Sequence, residues 1–424
     1  MSAELPSYEE AARLIAEFAA RLDGSGRRAE RVNLGAARGR VLARPIVADR
    51  DQPPFARSTR DGFACRAEEA RRHRPLTIAG AARAGDAPAG PLPRGAAWEI
   101  MTGAPAPAGA DAVMMLEHVE TAGEAGSRFV RLLPPRKLEA GENVVAQGAQ
   151  ARQGEVLLGA GSVMRGGQTA LAAACGYAQV DVFVRPRAAI LATGDELVPM
   201  EAEPGAGQIR NSNGPMLAAL VEAAGGEAWV LPMAADRDDA LDAAIAQAAD
   251  ADLLLISGGV SAGRFDLVEP ALLRAGAIFH FTGVKIQPGK PTVFGELPRC
   301  AANAIETRYC FGLPGNPVSS AVTFLLFAAP ILAALAGRRE IGPRFALARL
   351  TSDVKSKTGL TRFLPANCTF GAGADTGHGE PQVTLVPWQG SGDLAALARA
   401  NCFLVAPESA DGIEAGAVVR ILLW

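Results

Sequence analysis

DLLLISGGVSAGRFD, residues 252–266, pairs an unbroken apolar run with a glycine-rich loop. The run reads as a strand buried on both faces, and the glycines as a loop where backbone must come close to something else. The pattern recurs on either side. Residues 188–193, 228–233, 277–284 and 309–313 are further apolar runs, and 216–224, 238–248 and 267–274 between them have helical spacing. Continuous apolar strands separated by helices of this length predict a parallel sheet covered on both faces, a doubly wound α/β domain over residues 182–338.

Outward from that block the texture changes twice. Ser7 and Glu10 form a capping box ahead of Ala11, Leu14, Ile15, Phe18 and Leu22, so the first forty residues are expected to be helical. From residue 50 to about 148, short apolar runs (LTIAG, AWEIM, DAVMMLE, FVRLL) are broken by Gly and Pro, which predicts strands and turns. Gly- and Ala-rich sequence returns at 150–180, with a helix expected at 167–175. The chain therefore divides into a discontinuous helical domain (1–48 with 148–181), a β-rich insertion (49–147), the α/β domain, and a tail. That tail, 339–424, reads as strands only (ALARL, RFLPA, QVTLVPW, CFLVA, AVVRILLW), a separate β-domain.

Composition excludes several classes. The 424 residues carry 42 Lys+Arg against 45 Asp+Glu, a net charge of −3, without the basic excess of a non-specific nucleic-acid binder. Hydrophobic residues make up 49%, too many for a disordered chain. Six cysteines with no CxxC pair, and four histidines, fit neither a cysteine-caged zinc site nor a disulfide scaffold. No export signal opens the sequence, so a cytoplasmic protein is expected. The uncharged stretch 313–337 opens with LPGNP and contains Pro330. Its apolar helix, from about Pro317, is expected to fall short of the roughly 20 residues a membrane span needs and to lie buried in the globular core. Asn316 and Pro317 read as its N-cap and first residue.

Ligands of open α/β sheets bind beyond the carboxyl ends of the strands. That rule gathers TGDEL (Thr193, Gly194, Asp195, Glu196), SGGVSAGRFD (Ser257, Gly258, Gly259, Ser261, Gly263, Asp266), KIQPGKP (Lys285, Lys290) and PGNPVSS (Pro314, Asn316). No GxGxxG follows a strand, and QPGKP has neither the spacing nor the hydroxyl of a Walker loop. The SGGVS loop, just before a helix, is the better anion cradle. Only five residues are lysine, and two of them sit in the one KIQPGK loop, where a compact cation suits an oxyanion. Glu196, Asp266 and Asp236 bring carboxylates to the same edge, so an anionic ligand there calls for a divalent cation; magnesium with bound phosphate fits best. In the β-rich part, Asp61 precedes Gly62 in what reads as an Asp-Gly turn, and Thr102 opens a Pro-rich loop.

Taken in order, SxxDGFA, IMTGAP with GADAV, GENV, TGDEL, RNSNG, SGGVSxGxxD, PGKPTVFG, LPGNPVSS and QGSGDL with ARAN resemble the molybdopterin molybdenumtransferase family (the MoeA and gephyrin E-domain family) over almost the whole chain. The resemblance implies a MoaB/MogA-like α/β domain, a helical domain interrupted by a β-rich one, and a C-terminal β-barrel-like domain. It implies a homodimer whose cleft takes residues from both subunits. It further implies insertion of molybdenum from molybdate into adenylylated molybdopterin, with magnesium-dependent release of AMP. Asp61, Thr102, Glu196, Asp236 and Asp266 match positions implicated in catalysis or in magnesium and substrate binding, with Glu196 and Asp266 expected on the metal. Ser257, Gly258, Gly259, Ser261 and Gly263 match the phosphate and pterin loop, flanked by Thr193, Gly194, Asp195, Pro314 and Asn316. Lys290, Arg362 and Ser391 match oxyanion contacts. Implied partners are the adenylyltransferase and the maturation proteins of molybdoenzymes, with no nucleic acid and no membrane.

Two positions depart from the family pattern. Ala149 and Gln150 replace an expected Glu-Asp, and Gln287 replaces a lysine. Lys285, two residues upstream in an extended segment, is expected to restore that charge from the same face. The alternatives are an adenylyltransferase-like enzyme sharing the SGG loop, a tungstate-preferring paralogue, and a non-catalytic scaffold. The N-terminal motifs and QGSG discriminate against the first, and the absence of a fused partner domain or long linker against the last.

Overall fold

The computed structural model describes residues 4–22, 27–88, 90–124, 127–259, 267–301, 304–370 and 380–424. At its centre is a six-stranded sheet built from β1 (Arg187–Ala192), β2 (Glu227–Val230), β3 (Leu253–Ser257), β4 (Ile278–Phe281), β5 (Val293–Ala301) and β6 (Ala304–Leu313), in the order β2-β1-β3-β6-β5-β4. Four strands are parallel, with Ala189 opposite Leu254 and Leu254 opposite Cys310. The two-sided burial expected of β3 is observed. Leu253 and Leu255 pack with Leu217, Val221 and the long helix Pro317–Leu335 on one face. Leu254 and Ile256 pack with Leu241, Ile245 and Leu272 on the other. These four β3 side chains are fully buried.

One edge departs from the all-parallel expectation. β5, interrupted by Gly295 and Pro298, did not register as a strand in the sequence, yet it runs antiparallel to both β6 and β4. Pro298 lies outside the stretch paired with β4, where a proline is tolerated. Because β5 reverses between them, β4 points the same way as β6, and the lysine loop that leaves β4 still opens at the carboxyl edge.

The N-terminal helix Tyr8–Arg21 carries the expected capping box, with Ser7 accepting from the Glu10 amide and Glu10 from the Ser7 amide (2.8 Å). Helix does not continue through the first forty residues, however. Ala29–Asn33 is a strand paired with Gln179–Phe183, a partner 150 residues away that local periodicity does not register. Nor does the helix pack in the N-terminal domain. Ile15 and Phe18 enter the core of the central domain, with the Phe18 ring 5.2 Å from Phe294. The second helix of that region, Gly166–Ala174, falls where expected.

The apolar helix is a continuous 19 residues, long enough to cross a membrane, which corrects the shorter length expected; 83% of its apolar window is buried inside the protein. Pro330 does not end it. A π-turn over Phe324–Ala328 precedes the proline, a common way for a helix to absorb an irregular position. Asn316 has N-cap backbone geometry, but its side chain makes no capping bond.

The insertion forms a second six-stranded sheet, in which Gly62 does not sit in a turn but begins the strand Gly62–Cys65. A Cβ there would lie 1.9 Å from the Met114 carbonyl oxygen, so close strand approach explains the glycine. In the tail, five strands close into a barrel through pairing of Thr361–Thr369 with Cys402–Ala406. Ile286–Gln287 of the lysine loop adds to that barrel, Gln287 opposite Arg362. The tail is not strands only: Leu394–Arg399 is a short helix capped by Asp393. Since Leu255 is fully buried in the larger core, Leu255→Ala should lower unfolding stability by roughly 2–5 kcal/mol in a denaturant titration.

Candidate active site

Past the ends of β1, β3 and β6 the chain continues as three loops held together by backbone bonds. The Thr193 amide donates to the Ser257 carbonyl (3.0 Å), and the Gly258 amide to the Leu313 carbonyl (3.1 Å). At Gly258, φ is +107° and a Cβ would stand 2.2 Å from the Thr193 oxygen, so only glycine lets the loops meet. Above them lies a cavity of about 860 Å3. Of the residues singled out from the sequence, Thr193, Gly194, Glu196, Asp236, Ser257, Gly258, Gly259, Pro314 and Asn316 all line it. Two-sided burial leaves the strand ends as the open part of the sheet, and the cavity occupies that opening.

The polar groups of the cavity are tied in a defined way. Thr193 Oγ1 donates to Asp236 Oδ1, and the Asp236 amide donates to Asp195 Oδ1 (3.1 Å), which joins Asp195 to the group. Asp236 lies just before the helix Asp238–Gln247, whose N-cap is Arg237, and its carboxylate accepts the hydroxyl hydrogen bond of the residue that follows β1. Glu196 folds its carboxylate back over Gly194. Asn213 Nδ2 donates to Ser257 Oγ (2.7 Å) and to the Gly315 carbonyl (2.6 Å), clamping two of the loops. Asn213 and the cavity-lining Arg210 belong to RNSNG, a motif that carried no assigned role; their reach became visible only when the helix start was set against the sheet edge.

Other expected residues lie elsewhere. Ser261, Gly263 and Asp266 fall outside the described residues. Ser391 adjoins the cavity through Gly392, and its carbonyl accepts from the Val318 amide (3.0 Å). Arg362 sits on the barrel strand beside Gln287, its Nε buried without a partner among the described residues. Lys285 is engaged within the chain: its ammonium meets Glu4 Oε1 at 2.7 Å, which raises the lysine pKa and lowers that of Glu4, and its amide donates to the Pro6 carbonyl. Lys290 is exposed, with no ion-pair partner among the described residues. Gln150 donates its amide to the Gln52 carbonyl. Among the described residues no three His, Cys, Asp or Glu side chains gather closely enough to hold a metal unaided.

Asp61 and Thr102 form a pair of their own in the insertion, outside the cavity. Asp61 Oδ1 accepts from the Thr102 amide (2.6 Å) and hydroxyl (2.9 Å), and these bonds hold its carboxyl below the usual range. A depressed folded pKa contributes stability above the unfolded value and loses it as pH falls through the folded one. Thr102→Val, which removes only the hydroxyl donor, should raise the Asp61 midpoint in a carboxyl NMR titration and move that acid-side loss to higher pH.

Comparison with known proteins covers nearly the whole chain. Residues 6–176 match the MoeA N-terminal region (domain I and II), 189–334 the probable molybdopterin binding domain, and 347–424 the MoeA C-terminal region (domain IV). The molybdopterin molybdenumtransferase of Bacillus subtilis is 36% identical over 393 residues, 91% of this chain and 87% of that one. That of Staphylococcus aureus is 34% identical over 398 residues, 90% and 88%. The crystal structure of the molybdopterin biosynthesis moeA protein from Pyrococcus horikoshii superposes with a TM-score of 0.78 at 30% identity, covering 99% of this chain and 100% of that one. With its sheet-edge cavity, its three matched regions and relatives of this extent, the chain belongs to the molybdopterin molybdenumtransferase family.

Proposed function

We propose that this enzyme of molybdenum cofactor biosynthesis inserts molybdenum from molybdate into adenylylated molybdopterin, with magnesium-dependent release of AMP, at the carboxyl edge of the central sheet. The observation that carries the reading is the convergence of glycine backbone, carboxylates and a hydroxyl on one 860 Å3 cavity in a chain of this family. Ser257, Gly258 and Gly259 bind the phosphate and pterin groups of the substrate, together with Ser261 and Gly263.

The donor chemistry fits magnesium. Glu196 and Asp236 offer hard oxygen ligands on the cavity wall, and magnesium usually takes one or two carboxylates together with substrate phosphates rather than a full protein cage. Asp266 is the further candidate ligand. When bound, the ion neutralises charge that develops as the phosphoanhydride breaks. Lys290, Arg362 and Ser391 hold molybdate, a compact dianion suited to charge-assisted donors; the Nε of Arg362, without a partner among the described residues, supports that role.

Asp61 and Thr102 are preorganised, exposed and away from their own chain's cavity. We assign them to the cavity of a second copy, in a homodimer. The enzyme then acts in the cytoplasm, between the adenylyltransferase that supplies its substrate and the maturation proteins that receive its product.

Incubating the pure protein with adenylylated molybdopterin, magnesium and molybdate should release AMP, read by chromatography; no AMP sinks the reading. Glu196→Gln should slow that release at least about tenfold, and an unchanged rate removes Glu196 from the mechanism. Asp61→Asn and Glu196→Gln proteins, each impaired alone, should recover about one quarter of wild-type activity when subunits are exchanged at equal amounts. No recovery would place all these residues in one chain's own site.

A further inference from the structure

Asn213 opens the helix Asn213–Ala224 and is 8% exposed. The orientation of its amide is dictated by its neighbours. The Gly315 carbonyl, 2.6 Å from Nδ2, can only accept, so the NH2 group must face it, and the same nitrogen reaches Ser257 Oγ at 2.7 Å. A flipped amide would set oxygen against oxygen. Among the described residues Oδ1 is buried without a partner, and the side chain is held by these two donated bonds.

The consequence falls on Ser257. Its hydroxyl accepts from Asn213 and therefore cannot donate back along the same line. Its backbone is already fixed, the carbonyl accepting from Thr193 and the residue being 3% exposed at the cavity floor. Among the described residues no acceptor takes the Ser257 proton. We propose that Asn213 is a positioning residue that orients the Ser257 hydroxyl as a donor to an acceptor oxygen of the bound ligand, on the phosphate or on the pterin. This rests on the function proposed above. A rotor set before the ligand arrives need not lose its freedom on binding.

The test is a double-mutant cycle on affinity, by calorimetry with adenylylated molybdopterin and without magnesium or molybdate, so that binding is read apart from turnover. Asn213→Asp is isosteric but accepts where the amide donates, and so draws the Ser257 proton away from the cavity. It should weaken binding about tenfold, as should Ser257→Ala, and the double variant should bind no more weakly than Ser257→Ala alone. A merely structural Asn213 would lower Tm and give additive losses. Additive losses, or no loss on Asn213→Asp, overturn the proposal.

Should Asn213→Asp fail to fold, Asn213→Ala replaces it in the same cycle with the same criterion. Titrating AMP and pterin separately identifies the oxygen, as the half whose affinity falls on Ser257→Ala; if neither falls, the proposal is overturned. Coupling without AMP release in the complete assay sinks the proposed reaction alone. AMP release without coupling sinks the role of Asn213 alone, and absence of binding by the wild-type chain overturns both.

Discussion

Two-sided burial of the central strands is the constraint on which the rest of the molecule depends. Leu253 and Leu255 belong to one core and Leu254 and Ile256 to the other, so neither face of β3 has room for a ligand. Backbone groups freed where the ladder ends must still be satisfied, and the bonds from Thr193 to Ser257 and from Gly258 to Leu313 do this while drawing three loops together. The cavity forms where the sheet stops because the helices that seal its faces do not seal its end. The longest of them begins at that end: Pro317 lines the cavity, and most of the remaining helix is buried against the larger core.

The same core binds the other parts of the chain to the site. Helix Tyr8–Arg21 packs into it, and the segment just before that helix holds the lysine loop through Glu4, Pro6 and Leu5, whose side chain sits against Gly283. Tyr8 in turn meets Phe363 of the barrel, ring centroids 5.4 Å apart. The loop that carries Lys290 is thus braced by the N-terminus on one side and by strand pairing with Thr361–Arg362 on the other. The individual contacts are modest. The Glu4–Lys285 pair is largely exposed and contributes little stability by itself. Together with the burial of Val284 and Ile286 in the larger core, these contacts define where that loop lies.

Different kinds of signal carried the fold and the site. The α/β domain was legible because continuous apolar runs of strand length and helical spacing of core residues are properties of neighbours in sequence. Strand β5 was not, since Gly295 and Pro298 mimic a turn, nor was Ala29–Asn33, whose only reason to be extended is a partner far along the chain. Leu394–Arg399 was too short to show a period. Among site residues, the glycine and hydroxyl loops were legible because each stands directly after an apolar strand, at the edge where open sheets take ligands. Asn213 was missed because its role depends on the distance between two loops, not on the residues beside it.

The sequence by itself determined the order of the regions, the buried helix, the sheet that generates a ligand edge, and the residue types able to bind phosphate, magnesium and an oxyanion. These are set by composition, period and motif over a few residues. The tertiary structure decided which of those residues share a cavity. It joined Thr193 to Asp236 and Asn213 to Ser257, tied Lys285 to Glu4, and left Asp61 with Thr102 in loops beside a separate sheet. A hydrogen bond or ion pair needs atoms within about 3–4 Å of each other, and only the packing of distant elements sets that separation.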